Sequence, residues 1–319
     1  MRIPRIKAPG EGFYHVVSRI GGRRFLLDAT EKRILLATIR RAAAFSGVEV
    51  YSHALMDNHF HLLIRVPRPT EVSDDELSRR VTALYGSVRA ARLFEKWDAW
   101  TRKGKEWRVA DEKQRLRARM HDLSQFCKTF KETFTQDYNK RHDNTGTIWE
   151  GRFKSILLEG SEGALMAVAA YIHLNPVRAG TAPTAEEAPD TSYGAACAGD
   201  DSSRAGLSAL VGRAFLDIGA TADWPTAREA CQNAIDGKIA ASPPPSPPDT
   251  PPSALSPTAI RDLLRHRRIG FLHGKALGSA TFLHNASPAL PPRLRRRPAV
   301  ILDAFSSLGF TSVGGVRET

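Results

Sequence analysis

The chain has 319 residues, enough for one core of ordinary size and something beyond it, and its 42% hydrophobic content excludes disorder throughout. No apolar run reaches the roughly 20 residues of a membrane span, none of signal-peptide length precedes Phe13-Tyr14, and the three scattered cysteines (Cys127, Cys197, Cys231) form no disulfide framework or CxxC site. The net charge of +12 is uneven: residues 1–180 carry 32 Lys/Arg against 21 Asp/Glu, the remainder 14 against 13, so a polyanion is the expected partner of the first part.

Residues 13–19 (Phe-Tyr-His-Val-Val-Ser-Arg) read as a strand rich in β-branched and aromatic types. Asp28-Ala29-Thr30-Glu31 has capping-box spacing and opens a helix with apolar residues at Ile34, Leu35, Ile39, Ala42 and Phe45, stopped by Gly47. Residues 48–55 and 60–66 follow as two strands joined by a turn at Met56-Asp57-Asn58. The stretch from about 68 to 112, with its acidic cluster at 74–76 and Trp97, Trp100 and Trp107, reads as a partly helical insertion. Apolar residues then recur every three or four positions from Leu116 to Tyr138, predicting one long helix over 112–139. A strand through Leu158 and a helix over about 162–174, stopped by Asn175-Pro176, complete residues 1–180.

This order is β-α-β-β-α-β, which predicts an α+β, ferredoxin-like antiparallel sheet with helices on one face and a further helix appended. Residues 181–240 are expected to form a small helical extension. Residues 241–256 form a Pro-rich linker and 257–319 a basic C-terminal segment with runs at 257–268 and 293–297.

Chemistry concentrates at two places. In His59-Phe60-His61, strand alternation turns both imidazoles to one face, where two neutral rings are two ligands for a divalent cation. Two histidines on a solvated face would read the same, but this pair enters Leu62-Leu63-Ile64, a buried-strand pattern in which ring nitrogens need partners. In Tyr171-Ile172-His173-Leu174-Asn175-Pro176, Tyr171 and Asn175 share a helix face one turn apart. Ala164 and Ala167 lie earlier on that stripe and predict an open floor beside the phenol, while a tyrosine anchoring the helix and capped by Asn175 is the plainer alternative. Arg115, Arg117, Arg119, Lys128, Lys131, Arg152 and Lys154 are candidate phosphate contacts. Trp149 reads either as a base-stacking platform or as packing against the sheet. His15, His53 and Tyr138 read as structural, and His173 lies off the Tyr171 face. No GxxxxGK[ST] loop occurs.

Asn58-His59-Phe60-His61-Leu62-Leu63 resembles the His-hydrophobic-His strand of the single-tyrosine, IS200-like transposases of the HUH endonuclease superfamily. Gly151-Arg152-Phe153-Lys154-Ser155-Ile156-Leu157, followed by Tyr171-Ile172-His173-Leu174-Asn175-Pro176-Val177-Arg178-Ala179-Gly180, is similar to the REP-associated tyrosine transposases in particular. The likeness covers about residues 12–67 and 112–180. A fainter one, Gly278-Ser279-Ala280-Thr281-Phe282, is similar to a C-terminal extension of some members.

The resemblance implies that Tyr171 is the nucleophile and that His59 and His61 hold Mg²⁺ or Mn²⁺. Asn175 stands as third ligand where the wider superfamily often has a glutamine. It implies cleavage and rejoining of single-stranded or hairpin DNA through a 5′-phosphotyrosine with a free 3′-hydroxyl. The scattered, odd-numbered cysteines fit a reducing cytoplasm, so a cytoplasmic, nucleoid-associated location with no membrane partner is expected, and relatives in the family include both monomers and homodimers. A non-catalytic hairpin-binding protein and a metal-dependent hydrolase are the alternative readings.

Overall fold

The computed structural model describes residues 5–215, 220–237, 276–278, 282, 285 and 311–313. Three strands rich in β-branched and aromatic residues, β1 (Gly12–Arg19), β2 (Glu49–Met56) and β3 (His59–Val66), pair antiparallel in the order β2-β3-β1. β4 (Lys154–Leu158) joins the free side of β1, also antiparallel. The order β2-β3-β1-β4 is the ferredoxin-like sheet that the sequence order predicts. β5 (Ala276–Gly278) continues it, parallel to β4, and β6 (Thr311–Val313) pairs with β5.

The register decides what each face carries. Val17 lies opposite His61 and Lys154, Arg19 opposite His59, and His15 opposite Leu63 and Ile156, so these side chains share one face. Tyr14, Val16, Ser18, Phe60, Leu62 and Ile64 point to the other. The second face is covered by α1 (Ala29–Ser46) and α5 (Leu123–Arg141), whose Leu35, Ile39, Phe126, Phe130 and Phe134 are buried with Phe60 and Leu62 in one cluster. Asp28 Oδ1 accepts the amides of Thr30 and Glu31, and Gly47 closes α1 at φ +71°, a conformation that suits a residue without Cβ. Glu31 does not reach back to complete a capping box. It is buried and takes Arg141 at 2.6 Å and His142 at 2.9 Å from the end of α5.

The insertion is three helices, α2 (Asp74–Tyr85), α3 (Ser87–Thr101) and α4 (Glu106–Arg117). Its acidic cluster forms the first turn of α2 behind the Ser73 cap, where carboxylates meet the positive end of the helix. Leu77, Val81, Trp97, Leu116 and Met120 bury around Phe45 of α1 as a separate small core.

The long helix expected over 112–139 is broken. His121 takes φ +50° and gives its amide to Ser46 O, and Asp122 then caps α5 through Gln125 N. The apolar period runs through the break because Leu116 and Met120 belong to the small core and Leu123 onward to the sheet core.

α6 (Glu162–His173) lies on the face that bears the histidines and is followed by α7 (Asn175–Arg178), which restarts the chain at Pro176. α8 (Ser192–Cys197), α9 (Asp201–Phe215) and α10 (Trp224–Ile235) pack on α6 and β2, and their Tyr193, Leu207, Leu210 and Cys231 share one buried cluster with Leu63, Leu165 and Ile172. The linker at 241–256 and the basic runs at 257–268 and 293–297 lie outside the described residues, as do positions 279–281 of the C-terminal likeness. Phe282 packs against the α1/α5 core. Among the described residues no helix is long and apolar enough to cross a membrane.

Candidate active site

Strand alternation brings His59 and His61 onto the α6 face, their rings 5.0 Å apart. The Tyr171 ring meets His61 edge-on at 5.7 Å and His15 at 5.8 Å. All four side chains line one cavity of about 860 Å³, together with Arg19, Arg23, Glu150, Arg152, Lys154, Asn175 and Arg178. The phenol is not in an open trough: Tyr171 is 7% exposed, and Ala164 and Ala167, expected to leave a floor beside it, are buried. Helical spacing alone does not show this, because it places residues on a common face without saying what lies against that face.

The two ring nitrogens of His59 and of His61 divide their duties. His59 Nδ1 donates to Asn58 Oδ1 at 2.7 Å, which leaves Nε2 with its lone pair. His61 Nδ1 lies 2.9 Å from His15 Nε2; with the proton on His61, its own Nε2 is likewise a free donor of electrons. Burial, reinforced by the Arg19 cation, pulls His59 down to about 4, and burial with the neighbouring rings holds His61 well below its ordinary value. Both are therefore neutral near pH 7, the state that ligation needs. Asn175 reaches the same cavity, but its Nδ2 donates to the carbonyls of Tyr171 at 2.9 Å and Ile172 at 3.4 Å, so ligation by it would have to use Oδ1. Among the described residues no group of three or more His, Cys, Asp or Glu is placed to hold a metal. Two imidazoles and one amide oxygen suit a divalent ion that completes its shell with water or phosphate oxygens.

Burial raises the Tyr171 phenol above its ordinary value, and the Arg178 and Arg19 cations oppose that rise. The Arg178 guanidinium carbon sits 4.8 Å from the centre of the Tyr171 ring.

The seven candidate phosphate contacts divide by location. Arg152 and Lys154 line the cavity and are exposed. Lys128 and Lys131 project from α5 behind the sheet, into a second cavity of about 740 Å³ with Arg5 and Trp149; Arg152 and Gly151 stand between the two. Lys131 is 9% exposed, bonds Ser18 Oγ at 2.8 Å and Gly151 O at 3.0 Å, and is lowered by burial to about 8. Arg115, Arg117 and Arg119 lie at the far end of the insertion. Arg115 pairs with Asp111, Arg117 with Asp74 and the Val72 carbonyl, and Arg119 with Tyr85 and Thr129.

Trp149 packs on Phe60 and Phe134 and gives Nε1 to Thr135 Oγ1 at 2.9 Å, the sheet-packing alternative. Tyr138 is core, and His173 is buried against Ser52 Oγ at 2.8 Å.

Arg19, Arg23 and Arg178 also line the cavity, and Asn58 holds His59, although none of the four stands out in the sequence as a site residue. Arg19 shares strand parity with His15 and stands opposite His59, a relation visible only once the pairing of the two strands is known. Arg178 lies two helical turns beyond Tyr171, a spacing that carried the signal but was interrupted by Pro176.

No curated protein matches the chain in sequence. A solved REP-associated tyrosine transposase bound to a REP hairpin is similar at 15% identity and a TM-score of 0.42, over 62% of this chain and 87% of that one. Residues 11–107 match the family model for IS200-like transposases, a stretch that holds β1, His15, His59 and His61 and ends before Tyr171. Over that stretch the chain is similar to the IS200-like transposases.

Proposed function

We propose that the protein is a transposase that cleaves and rejoins single-stranded or hairpin DNA, with Tyr171 as nucleophile and His59 and His61 as ligands of Mg²⁺ or Mn²⁺. The observation that carries the reading is the meeting of the Tyr171 ring with His61 at 5.7 Å across one cavity rimmed by cations. A residue that only anchored its helix would have no reason to face paired, neutral imidazoles and four arginines.

The chain's own residues bind, orient and exclude water. Arg19, Arg23, Arg152 and Lys154 draw a phosphodiester to the cavity mouth. The sheet floor and α6 close the cavity behind it, so a flexible strand can lower one phosphate to the phenol while a duplex cannot. Buried and raised, Tyr171 stays protonated until a phosphate is beside it, which limits idle attack on other electrophiles. A bound divalent ion would polarise the phosphoryl group and steady the departing 3′ oxygen. Exchange of one phosphoester for another conserves bond energy, in keeping with a sequence that has no nucleotide-binding loop.

The test is incubation with single-stranded hairpins and Mn²⁺, followed by denaturing electrophoresis. The native chain is expected to give a denaturation-resistant protein–DNA adduct. Tyr171→Phe should give none while hairpin affinity stays within about threefold, since it deletes one oxygen and keeps the ring. An adduct from the phenylalanine variant would overturn the assignment.

A further inference from the structure

Arg178 is a cation with unfilled donor capacity beside the candidate nucleophile. Its Nε and Nη2 are buried and have no hydrogen-bond partner, and no carboxylate among the described residues pairs with it. Arg152 and Lys154, by contrast, are exposed at the cavity rim. Buried guanidinium nitrogens are costly to leave unpaired, so a side chain held in that state is usually completed by a ligand. Its position is fixed locally: Pro176 sets a new short helix after α6, Arg178 N bonds Leu174 O at 3.0 Å, and the side chain folds back over the Tyr171 ring. Among the described residues Glu150 is the only carboxylate lining the cavity, and it is exposed.

We propose that Arg178 is a catalytic residue that grips a non-bridging oxygen pair of the scissile phosphodiester through its inward guanidinium edge. The assignment rests on the strand-transfer reading above. A planar fork of two N–H groups matches two phosphate oxygens, and an ammonium does not. Attack at phosphorus concentrates negative charge on those oxygens, where a preorganised cation in a water-poor cavity acts most strongly. In the step, the Tyr171 Oη–P bond forms as the P–O3′ bond breaks. The phenolic proton passes to solvent, solvent protonates the departing 3′ oxygen, and Arg178 keeps its own protons throughout.

The experiment compares two hairpin substrates, one with an ordinary scissile phosphodiester and one with a neutral methylphosphonate there, using the full chain and Mn²⁺. On the phosphodiester, Arg178→Ala should slow adduct formation by about 10²–10³-fold, with hairpin affinity within about threefold of native. On the methylphosphonate, which lacks the charge Arg178 would hold, the gap between native and variant should shrink to roughly tenfold or less. Arg178→Lys, which keeps the charge but loses the fork, should fall between and serves as the readout if the alanine variant does not fold. An equal deficit on both substrates, or none on the phosphodiester, overturns the assignment. Absence of any adduct from the native chain overturns the strand-transfer reading instead.

Discussion

Asn58 accepts the Nδ1 proton of His59 and gives its own amide to Arg23 O at 3.2 Å, so it ties the imidazole to the turn that follows β1 and fixes which nitrogen faces the cavity. Outer partners of this kind typically change metal affinity by about 10–100-fold. Asn58→Ala is therefore expected to weaken Mn²⁺ binding by at least about tenfold, measured by calorimetry on the full chain. Unchanged affinity would exclude ligation by His59 Nε2. At this scale the sequence was informative wherever a single element carries the relation. Strand parity joined His59 to His61, and helical spacing joined Tyr171 to Asn175. It was silent where strand pairing does the joining, as with His15 against His61 and Arg19 against His59. It misjudged Ala164 and Ala167, which are buried, because small residues on a stripe mark an open floor or a close-packed neighbour equally well.

α5 shows how one residue can divide a continuous apolar pattern into two elements. Asp122 caps it through Gln125 N at 2.8 Å, directly after the left-handed residue His121, and also pairs with Lys7. Loss of such a cap costs about 1 kcal/mol. Asp122→Ala should lower the urea midpoint accordingly with no change in the slope of the transition, and a midpoint shift near zero would mean that the break is held by the His121–Ser46 bond alone. A period of three to four residues reports burial, not which neighbour does the burying, and so the break between Leu116 and Leu123 could not be read from the pattern. The strands, α1 and α6 were legible to within a residue or two because their caps and stops are local chemistry: Asp28 and Gly47 for α1, Asn175-Pro176 after α6. β5 was not, since three residues carry too little pattern to mark a strand.

For the molecule as a whole, buried neutral histidines set the response to acid. His15, His53 and His173 are each pulled to about 3 by burial, against an unfolded value near 6.5. Because the unfolded chain takes up these protons first, the stability they confer is complete above pH 6.5 and is lost as pH falls toward 3. The expected slope is about 1.4 kcal/mol per pH unit for each histidine. Together with His59 and His61, which are also held low, they should make urea midpoints drop steeply between pH 7 and 5, and His173→Asn, which keeps a polar partner for Ser52, should flatten the drop by about a fifth. A level profile over that range would contradict the neutral assignment. The sequence revealed the sheet and the two ends of the site, but not that residues 185–235 complete the core on the Tyr171 side. Those helices are also tied around the β2 edge to α1, through Lys32 to Asp190 at 2.8 Å and Arg40 to Asp200 at 2.6 Å.

Both borders of the first four strands are sealed by chain that is made later. On one side, Gly206 of α9 passes so close to β2 that a Cβ there would come within 2.7 Å of Val50 O, and Leu55 N bonds Asp190 O. On the other, β5 lies along β4 at Leu157 and Leu158. A nascent or clipped polypeptide ending near residue 240 would thus present β4 as a bare row of amides and carbonyls, a template for any passing strand. Such a fragment should self-associate under conditions that leave the intact protein dispersed, a difference that light scattering would register.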